Sequence, residues 1–337
     1  MRYGPGCARW TMLAVFLGAA SACGGSSETP VTASGWSSRG ALPVPRADHA
    51  LVGLGGMVYA IGGYSGSTLA RVDRYDPASN TWTRRADMQS ARREFAAGAL
   101  NGKIYVACGM SWSNPNAVIY VTTTEEYDPV GDTWTARAPC PMDPAFNSVY
   151  TNVHISGAAA NGKLYVMIFN TQTSGFAATY EYDPGGNTWA TKAAPPFSYT
   201  HYSVAESSGA LYLLASAHLM AGIPTASQFA RYDPAGDTWV VRQSLAGVLG
   251  STLVGFGGAI YAIGGVKWSG SAWVAIPDVN RFNPGTNTWS GAGRLGAARY
   301  LAATATPGAG LYVAGGSFAG DHYAPTPLDT VEVNSAP

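Results

Sequence analysis

The stretch Tyr75-Asp76-Pro77-Ala78-Ser79-Asn80-Thr81-Trp82 decides the fold, because the chain repeats it four more times. Every copy reads Tyr or Phe, Asp or Asn, Pro, two variable residues, Asn or Asp, Thr and Trp. The later copies end at Trp134, Trp189, Trp239 and Trp289, so successive tryptophans are 52, 55, 50 and 50 residues apart. A period of this length indicates a radial or stacked array of one supersecondary unit.

Each repeat contains four β-rich runs separated by turn residues. In the first repeat these runs are residues 49–54, 57–61, 71–75 and 81–84. The first two flank Gly55-Gly56, a dipeptide that suits a tight hairpin turn, and the last two flank the turn that Asp76 and Pro77 begin. The tryptophan brings a large ring, which we expect to fill the seam between neighbouring sheets. Each repeat is therefore predicted to form one four-stranded antiparallel sheet.

The second run of several repeats ends in Tyr, two residues and a Gly pair, at residues 59–63, 261–265 and 312–316. Together with the repeated phrase, these endings resemble kelch-repeat β-propellers from Trp36 to the C-terminus. Cys108-Gly109 replaces the Gly pair in the second repeat, and the third and fourth repeats lack it. The Gly-His and Trp-Asp signatures of the other common propeller repeat are absent from the sequence.

The resemblance implies an all-β propeller, and the repeats give its blade count. Pairs of first and second runs occur six times, and Trp36 is a sixth outer-strand tryptophan. The chain ends at residues 331–333 with a third run that no tryptophan follows. We therefore predict six blades of four strands over residues 36–337, with the strand that carries Trp36 closing the last blade.

The N-terminus predicts export. Residues 1–22 read as a signal peptide, with Arg2 and Arg9 before a short apolar run and small residues before Cys23. This arrangement resembles the lipobox of bacterial lipoproteins, which implies a lipid on Cys23, a flexible tether over residues 23–35 and residence at the cell envelope. The anchor would lie in the outer membrane or on the periplasmic face of the inner membrane. A plain secretory peptide cut nearby is the alternative.

The amino-acid composition argues against long helices and against some classes of binding partner. The chain has 42 Gly, 21 Pro, 12% charged residues and no formal net charge. So many helix breakers disfavour long helices, and the absence of a basic field argues against nucleic acid as a partner. No cofactor fingerprint appears, and the histidines are too scattered to predict a metal site.

Two cysteines remain after the leader and the lipidation site, Cys108 and Cys140. They are too few for a structural zinc site, which takes four ligands. An oxidising compartment permits a bridge between them. The sequence favours two buried, unpaired thiols and leaves a Cys108–Cys140 disulfide as the alternative.

Candidate ligand-binding residues fall in two sets of loops, which the kelch resemblance places around the mouth of the propeller. The long loops between second and third strands carry aromatic residues that suit sugar faces or peptide side chains. These are Trp112, Trp268, Trp273 and Tyr323. The alternative is that the rings only pack loops against one another.

The loops that lead into the first strands form the second set. They contain Arg46, Arg93 (or Arg92), His201, Arg299 and Tyr300. The resemblance implies that arginines at this point face the central mouth, and three neighbouring blades carry them. Such a cluster would bind a carboxylate through bidentate hydrogen bonds. The alternative is that each arginine pairs with a nearby acid or carbonyl and braces the loops.

The sequence favours a binding or protein-interaction module at the envelope over an enzyme, because no catalytic motif appears. Its ligand would be a protein partner, a glycan or a sugar acid. The main alternative is a carbohydrate-active enzyme resembling the kelch-type sialic acid mutarotases. In that case Arg93 supplies an anion clamp and Glu94 a general base. A third hypothesis is a scaffold that contacts other envelope proteins through its rim.

Overall fold

The computed structural model describes residues 35–114, 117–142, 153–170, 176–197, 201–216, 226–318 and 325–335. Side chains at a few strand ends beside the gaps, including that of His201, lie outside the description. Every regular element in these ranges is a β-strand. No helix long and apolar enough to cross a membrane occurs in this described part of the chain.

Six four-stranded antiparallel sheets form the blades, as predicted. Blade 1 consists of β2 (Ala50–Leu54), β3 (Met57–Ile61), β4 (Val72–Asp76) and β5 (Thr81–Arg85). Blade 2 consists of β6 (Ala96–Leu100), β7 (Lys103–Ala107), β10 (Thr124–Asp128) and β11 (Thr133–Arg137). Blade 3 consists of β12 (Val153–Ala160), β13 (Lys163–Asn170), β14 (Phe176–Asp183) and β15 (Thr188–Lys192).

The other half of the ring follows the same plan. Blade 4 consists of β16 (His201–Ser207), β17 (Ala210–Ser216), β18 (Ala226–Asp233) and β19 (Thr238–Ala246). Blade 5 consists of β20 (Thr252–Phe256), β21 (Ala259–Ile263), β24 (Asp278–Asn283) and β25 (Thr288–Arg294). Blade 6 consists of β26 (Ala303–Ala305), β27 (Leu311–Ala314), β28 (Val331–Asn334) and β1 (Trp36–Arg39).

The N-terminal strand closes the ring, as predicted. β1 pairs antiparallel with β28, so that Trp36 lies opposite Asn334 and Arg39 opposite Val331. Closure of this kind leaves only short outer edges for unwanted strand pairing. Two further hairpins rise from second-to-third-strand loops: β8 (Met110–Asn114) with β9 (Ala117–Tyr120) in blade 2, and β22 (Val266–Trp268) with β23 (Trp273–Ala275) in blade 5.

The first strands surround the central axis. They contact one another in the order β2, β6, β12, β16, β20, β26 and back to β2. This approach requires small residues, because a Cβ on Gly98 would lie 2.5 Å from the Cβ of Ala159 and one on Gly53 would lie 2.8 Å from Pro307. Gly53 and Gly255 lie within the inner strands β2 and β20. Most of the apolar core lies further out, in the seams between neighbouring blades.

The repeated phrase joins each blade to the previous one. In blade 3 the side-chain oxygen of Asn187 accepts hydrogen bonds from the Tyr182 hydroxyl (2.7 Å) and from the backbone N–H of Ala138 in blade 2 (2.8 Å). Trp189 Nε1 donates to the carbonyl of that same Ala138 (2.9 Å). We call this two-point contact the blade clamp. The other clamps use Trp82 with Gly40, Trp134 with Ala86, Trp239 with Ala193 and Trp289 with Gln243.

Replacing Trp189 by phenylalanine should lower the free energy of unfolding by about 1 kcal/mol beyond the loss of ring size, because the Ala138 carbonyl loses its donor. Trp36→Phe is the matched control, since Trp36 Nε1 has no partner within the described residues. Urea denaturation of both variants measures the difference. Equal losses would show that the tryptophans act through packing alone.

Cys108 and Cys140 form a disulfide, with their Cα atoms 5.7 Å apart. The sequence favoured two unpaired thiols, and this prediction is wrong. The structure contains the disulfide that the sequence left as the alternative. In blade 1 the equivalent positions are Gly62 and Met88, where a Cβ on the glycine would lie 3.1 Å from the methionine methyl group. The bridge thus replaces an apolar contact between the end of a second strand and the segment after the outer strand.

Candidate functional site

Three buried arginines hold the loops that lead into blades 1, 2 and 6. Arg299 places its guanidinium 2.5 Å from the Glu332 carboxylate and also donates to the carbonyls of Gly315 (3.2 Å) and Thr330 (3.1 Å). Arg92 makes the equivalent pair with Glu125, and Arg46 with Asp73. Burial lowers the pKa of each of these three guanidinium groups, against the opposite effect of the paired carboxylate. We call each contact an arginine brace.

The arginine braces change the interpretation of the predicted anion site. Arg46 and Arg299 are completely buried and do not line the central cavity. In blade 2 the equivalent residue is Arg92, not Arg93, because it lies four residues before the first strand, as Arg46 and Arg299 do. The geometry corresponds to the bracing alternative rather than to a cluster of arginines around the mouth.

The sequence contains two indications of the braces. One position of the third strand is acidic only in the three blades whose entry loops carry the arginine. The acids at this position are Asp73, Glu125 and Glu332. In addition, the blade before each of these loops ends its second strand in the Gly pair. The second glycine of that pair donates its N–H to the arginine carbonyl, at 2.9 Å from Gly63 to Arg92 and 2.8 Å from Gly265 to Arg299. The pair and the arginine therefore belong to one contact.

Arg93 has a different role. Its guanidinium lies 2.6 Å from the Asp48 carboxylate and 3.5 Å from that of Glu94. It also lies 5.0 Å from the ring centre of Tyr64 and 4.7 Å from that of Trp112. Burial lowers the pKa of Arg93, but the charges of Asp48 and Glu94 outweigh it and the net direction is upward. Arg93 thus joins blades 1 and 2 and holds the β8–β9 hairpin at the mouth.

One residue at an equivalent position near the start of each first strand contributes to a ring around the mouth, which we call the mouth ring. Its six positions are Asp48, Glu94, His154, His201, Gly250 and Leu301, each seven residues before the turn at the end of its first strand. His154 and His201 fall within the longer first strands of their blades. This spacing was visible in the sequence and would have identified Asp48 and His154 together with Glu94 and His201.

Backbone hydrogen bonds join three neighbouring positions of the mouth ring. Glu94 donates its N–H to the Asp48 carbonyl, and Asp48 donates to the carbonyl of Leu301, each at 3.2 Å. All three residues adopt a left-handed φ, at 48°, 52° and 54° respectively. Backbone of this kind is uncommon for residues other than glycine and occurs often at functional sites. The Glu94 carboxylate also lies 2.9 Å from His154 Nδ1, which links blades 2 and 3.

A cavity of about 400 Å³ runs along the axis between the first strands. Its described lining contains the acidic residues Asp48, Glu94 and Glu206 and the histidines His49 and His154. The other lining residues are mostly Gly, Ala, Val, Ser and Thr, and no Lys or Arg is among those described. No group of three His, Cys, Asp or Glu within the described residues could hold a metal ion. The cavity is therefore acidic and lies at the axis, inside the mouth ring.

His49 lies in the cavity wall one residue after Asp48. It is only 7% exposed, and neither ring nitrogen has a partner in the described part of the chain. It is packed against Gly63 and Gly315, where an added Cβ would come within 2.6 and 2.7 Å of its atoms. Burial, and secondarily the charge of Arg46, holds the pKa of His49 well below 6.5. The imidazole is therefore neutral at neutral pH.

His49 should make the protein less stable in mild acid. Below pH 6.5 the unfolded chain binds a proton that the folded His49 rejects, so stability falls as the pH falls. Between pH 7.5 and 5.5 the loss from this residue is expected to be about 1.4 kcal/mol. His49→Phe, which copies Phe95 at the equivalent position of blade 2, should reduce the pH dependence by that amount in urea denaturation. An identical pH dependence in both proteins would contradict the assignment.

The aromatic candidates divide into buried and exposed residues. Tyr300 is buried against Leu249 and Val266, so it supports the β22–β23 hairpin. Trp268 is 37% exposed, with its ring centre 5.4 Å from that of Trp273. Trp112 contacts Arg93, as described above. Tyr323 lies outside the described residues, as does the side chain of His201, so their place at the mouth stays a prediction.

Comparisons with known proteins give the same repeat. The Kelch motif matches residues 45–89 and 91–141. Kelch-like protein 15 of Danio rerio is 27% identical over 65% of this chain and 37% of its own length. Kelch-like protein 34 of Homo sapiens is 23% identical over 77% of this chain and 40% of its own length. The chain therefore spans well under half the length of these relatives.

A similar fold is found in the solved structure of YjhT. The TM-score is 0.68 at 16% sequence identity, covering 86% of this chain and 95% of that one. At this identity the likeness shows the fold alone. The Kelch motifs, the kelch-like relatives and the six closed blades agree with one another. The chain is a six-bladed β-propeller that carries Kelch motifs in its first two blades.

Proposed function

We propose that this chain is an exported, envelope-anchored binding module whose ligand occupies the central cavity. One observation carries the proposal: three acidic residues and two histidines line a cavity of about 400 Å³ on the axis of a closed ring. The blade clamps and arginine braces, which hold the ring together, lie outside this lining. A rigid scaffold that presents loops and strand starts at one mouth is the usual setting of a binding site. The kelch-repeat relatives also support a binding module.

The Cys108–Cys140 disulfide supports export, because such bonds persist in oxidising compartments and are rare in reducing ones. The predicted leader and Cys23 lie outside the described residues, so the lipid anchor is part of the proposal. We expect the wild-type protein in the membrane fraction, carrying a labelled acyl chain. Cys23→Ser should release it to the soluble envelope fraction without label. A Cys23→Ser protein that stays on the membrane would contradict lipid anchoring.

A thermal-shift screen tests the binding function. The panel contains neutral, acidic and amino saccharides together with short acidic and basic peptides. A ligand at about 100 times its dissociation constant should add roughly 2.7 kcal/mol and raise the unfolding midpoint by several degrees. A saturable shift with any of these classes supports the binding module. A flat response across the panel would favour the rim-contact scaffold instead.

The alternative, a carbohydrate-active enzyme such as a sugar isomerase, has one specific observation in its favour. Glu94 and His154 place a carboxylate and an imidazole 2.9 Å apart in the cavity lining, and such a pair suits proton transfer. Arg93, however, is engaged by Asp48 and Glu94 and does not line the cavity. Under this alternative Glu94→Gln abolishes turnover of a saccharide but retains its binding. Retained turnover would exclude Glu94 as the base.

A further inference from the structure

The Cys108–Cys140 disulfide lies at the base of the β8–β9 hairpin. Cys108 directly follows β7 and takes the place of the first glycine of the Gly pair in blades 1, 5 and 6. The next residue, Gly109, accepts a hydrogen bond from the backbone N–H of Val121 (2.8 Å), which closes the hairpin. Trp112 of the same hairpin contacts Arg93. One cysteine of the bridge is therefore joined to an element of the mouth.

The other cysteine, Cys140, lies in the linker that leads from β11 to the first strand of blade 3. Its backbone N–H donates to the carbonyl of Thr122 (2.7 Å), just after the hairpin. Its side chain packs in one apolar cluster with Tyr120 and Val153. The Val153 N–H donates to the Tyr120 hydroxyl (3.3 Å), and the next residue is His154 of the mouth ring. The disulfide thus joins the hairpin, the linker and the start of β12.

The linker offers a route to the buried bridge. Cys108 is 0% exposed and Cys140 4%. Cys140, however, lies between Pro139 and Pro141, which are both exposed, and residues 138–142 belong to no strand. Opening of this segment therefore breaks no hydrogen-bond ladder of a blade, and local openings of this kind cost less free energy than global unfolding. A small reductant reaches the Cys140 sulfur through such an opening.

Reduction leaves the contacts between blades in place. The blade clamps and the arginine braces use no cysteine side chain, and Arg92 donates to the backbone carbonyl of Cys108, which reduction does not change. The β22–β23 hairpin of blade 5 provides a comparison within the same chain. Its base is the Gly264-Gly265 pair, so no disulfide supports it.

We propose that the Cys108–Cys140 disulfide is a redox-sensitive switch at the mouth, whose reduction loosens the β8–β9 hairpin and the linker into blade 3 while the ring stays folded. A small dithiol is the reductant. One of its thiolates bonds to the Cys140 sulfur, and the Cys108 sulfur leaves and takes up a proton. The second thiolate of the reductant then displaces Cys140, which also becomes a thiol, and the reductant ends as a disulfide.

This inference rests on the proposed function, because it assigns a form of regulation to the mouth of the same site. Its two tests need no ligand, so their outcome is separate from that of the thermal-shift screen. Disulfide–thiol changes act in this way where they shift one element of a fold between two states.

The first test is the rate at which dithiothreitol reduces the folded full chain at increasing urea concentrations. Alkylation and peptide mass analysis measure the free thiols of Cys108 and Cys140. We expect a rate that is nearly independent of urea below the unfolding transition, because a local opening exposes little surface. A rate that rises from the lowest urea concentration as steeply as global unfolding would overturn the inference. So would a folded protein that dithiothreitol does not reduce.

The second test is hydrogen exchange of the oxidised and the reduced protein, followed by mass spectrometry. Reduction should speed exchange at residues 109–121 and 138–142 at least about 10-fold and leave the β22–β23 hairpin unchanged. Cys108→Ser with Cys140→Ser should behave like reduced wild type, with or without dithiothreitol. If this variant does not fold, wild type reduced in its folded state gives the comparison. Equal acceleration in the two hairpins, or none at residues 109–121, would overturn the inference.

Discussion

Replacing Arg299 by leucine is expected to lower the free energy of unfolding by about 3–5 kcal/mol. The substitution leaves the Glu332 carboxylate buried without its cation and removes donors from the carbonyls of Gly315 and Thr330. Glu332 lies in β28, the strand on which β1 closes the ring, so the loss should affect the closing blade directly. Urea denaturation measures the effect.

Two controls distinguish the loss of the buried ion pair from the loss of a positive charge elsewhere on the protein. Arg294→Leu removes a half-exposed arginine that pairs with Asp278, and its expected cost is below about 1 kcal/mol. The double variant Arg299→Val with Glu332→Asn copies Val248 and Asn280, which occupy the equivalent positions of blade 5. It should recover most of the stability, because no unpaired charge remains. A small loss in Arg299→Leu would show that the brace does not stabilise the ring.

Removing the Cys108–Cys140 disulfide is expected to cost about 3–4 kcal/mol, the chain-entropy value for a separation of 32 residues. Urea denaturation of Cys108→Ala with Cys140→Ala, compared with wild type with and without reductant, measures the loss. The reductant should destabilise wild type and leave the variant unchanged. If reductant leaves the urea denaturation of the wild-type protein unchanged, even after the reductant has acted on the unfolded chain, the disulfide is contradicted.

A second pair of substitutions provides the matched control. Cys108→Gly with Cys140→Met recreates Gly62 and Met88 of blade 1. Cys108 has a φ of 58°, a conformation that glycine adopts without strain, so this variant should be about 1 kcal/mol more stable than Cys108→Ala with Cys140→Met. Equal stability of the two variants would show that the left-handed φ costs nothing here.

The fold was largely predictable because the repeats encode it. The spacing of the tryptophans predicted the blades. The third strand at the C-terminus, which no tryptophan follows, together with Trp36 predicted how the last blade is completed. The blade clamp was not predicted, because the hydrogen bond from Trp189 to the Ala138 carbonyl joins residues 51 positions apart in the sequence. The sequence of a single repeat shows only that a tryptophan follows a turn, and not which residue of the previous blade the tryptophan contacts.

The site was less predictable because residue type alone does not tell which direction a side chain faces. Arg46 and Arg299 look like mouth residues until Asp73 and Glu332 are recognised as their partners. Glu94 was identified, but as a companion of Arg93 rather than as a neighbour of His154. Alignment of the repeats from their turns, rather than from their arginines, would have placed Asp48, Glu94 and His154 at one level of the ring.

The central claim is that the ligand occupies the axial cavity, and a filled cavity tests it most directly. Ala97 lines the cavity from β6 and is only partly buried beside the seam between blades 1 and 2, so a phenylalanine there should occupy the space. The measurement is a calorimetric titration of wild type and Ala97→Phe with whichever compound stabilises wild type. We predict loss of binding in Ala97→Phe at an unchanged unfolding midpoint. Unchanged affinity in a folded Ala97→Phe protein would contradict the account and place the ligand elsewhere.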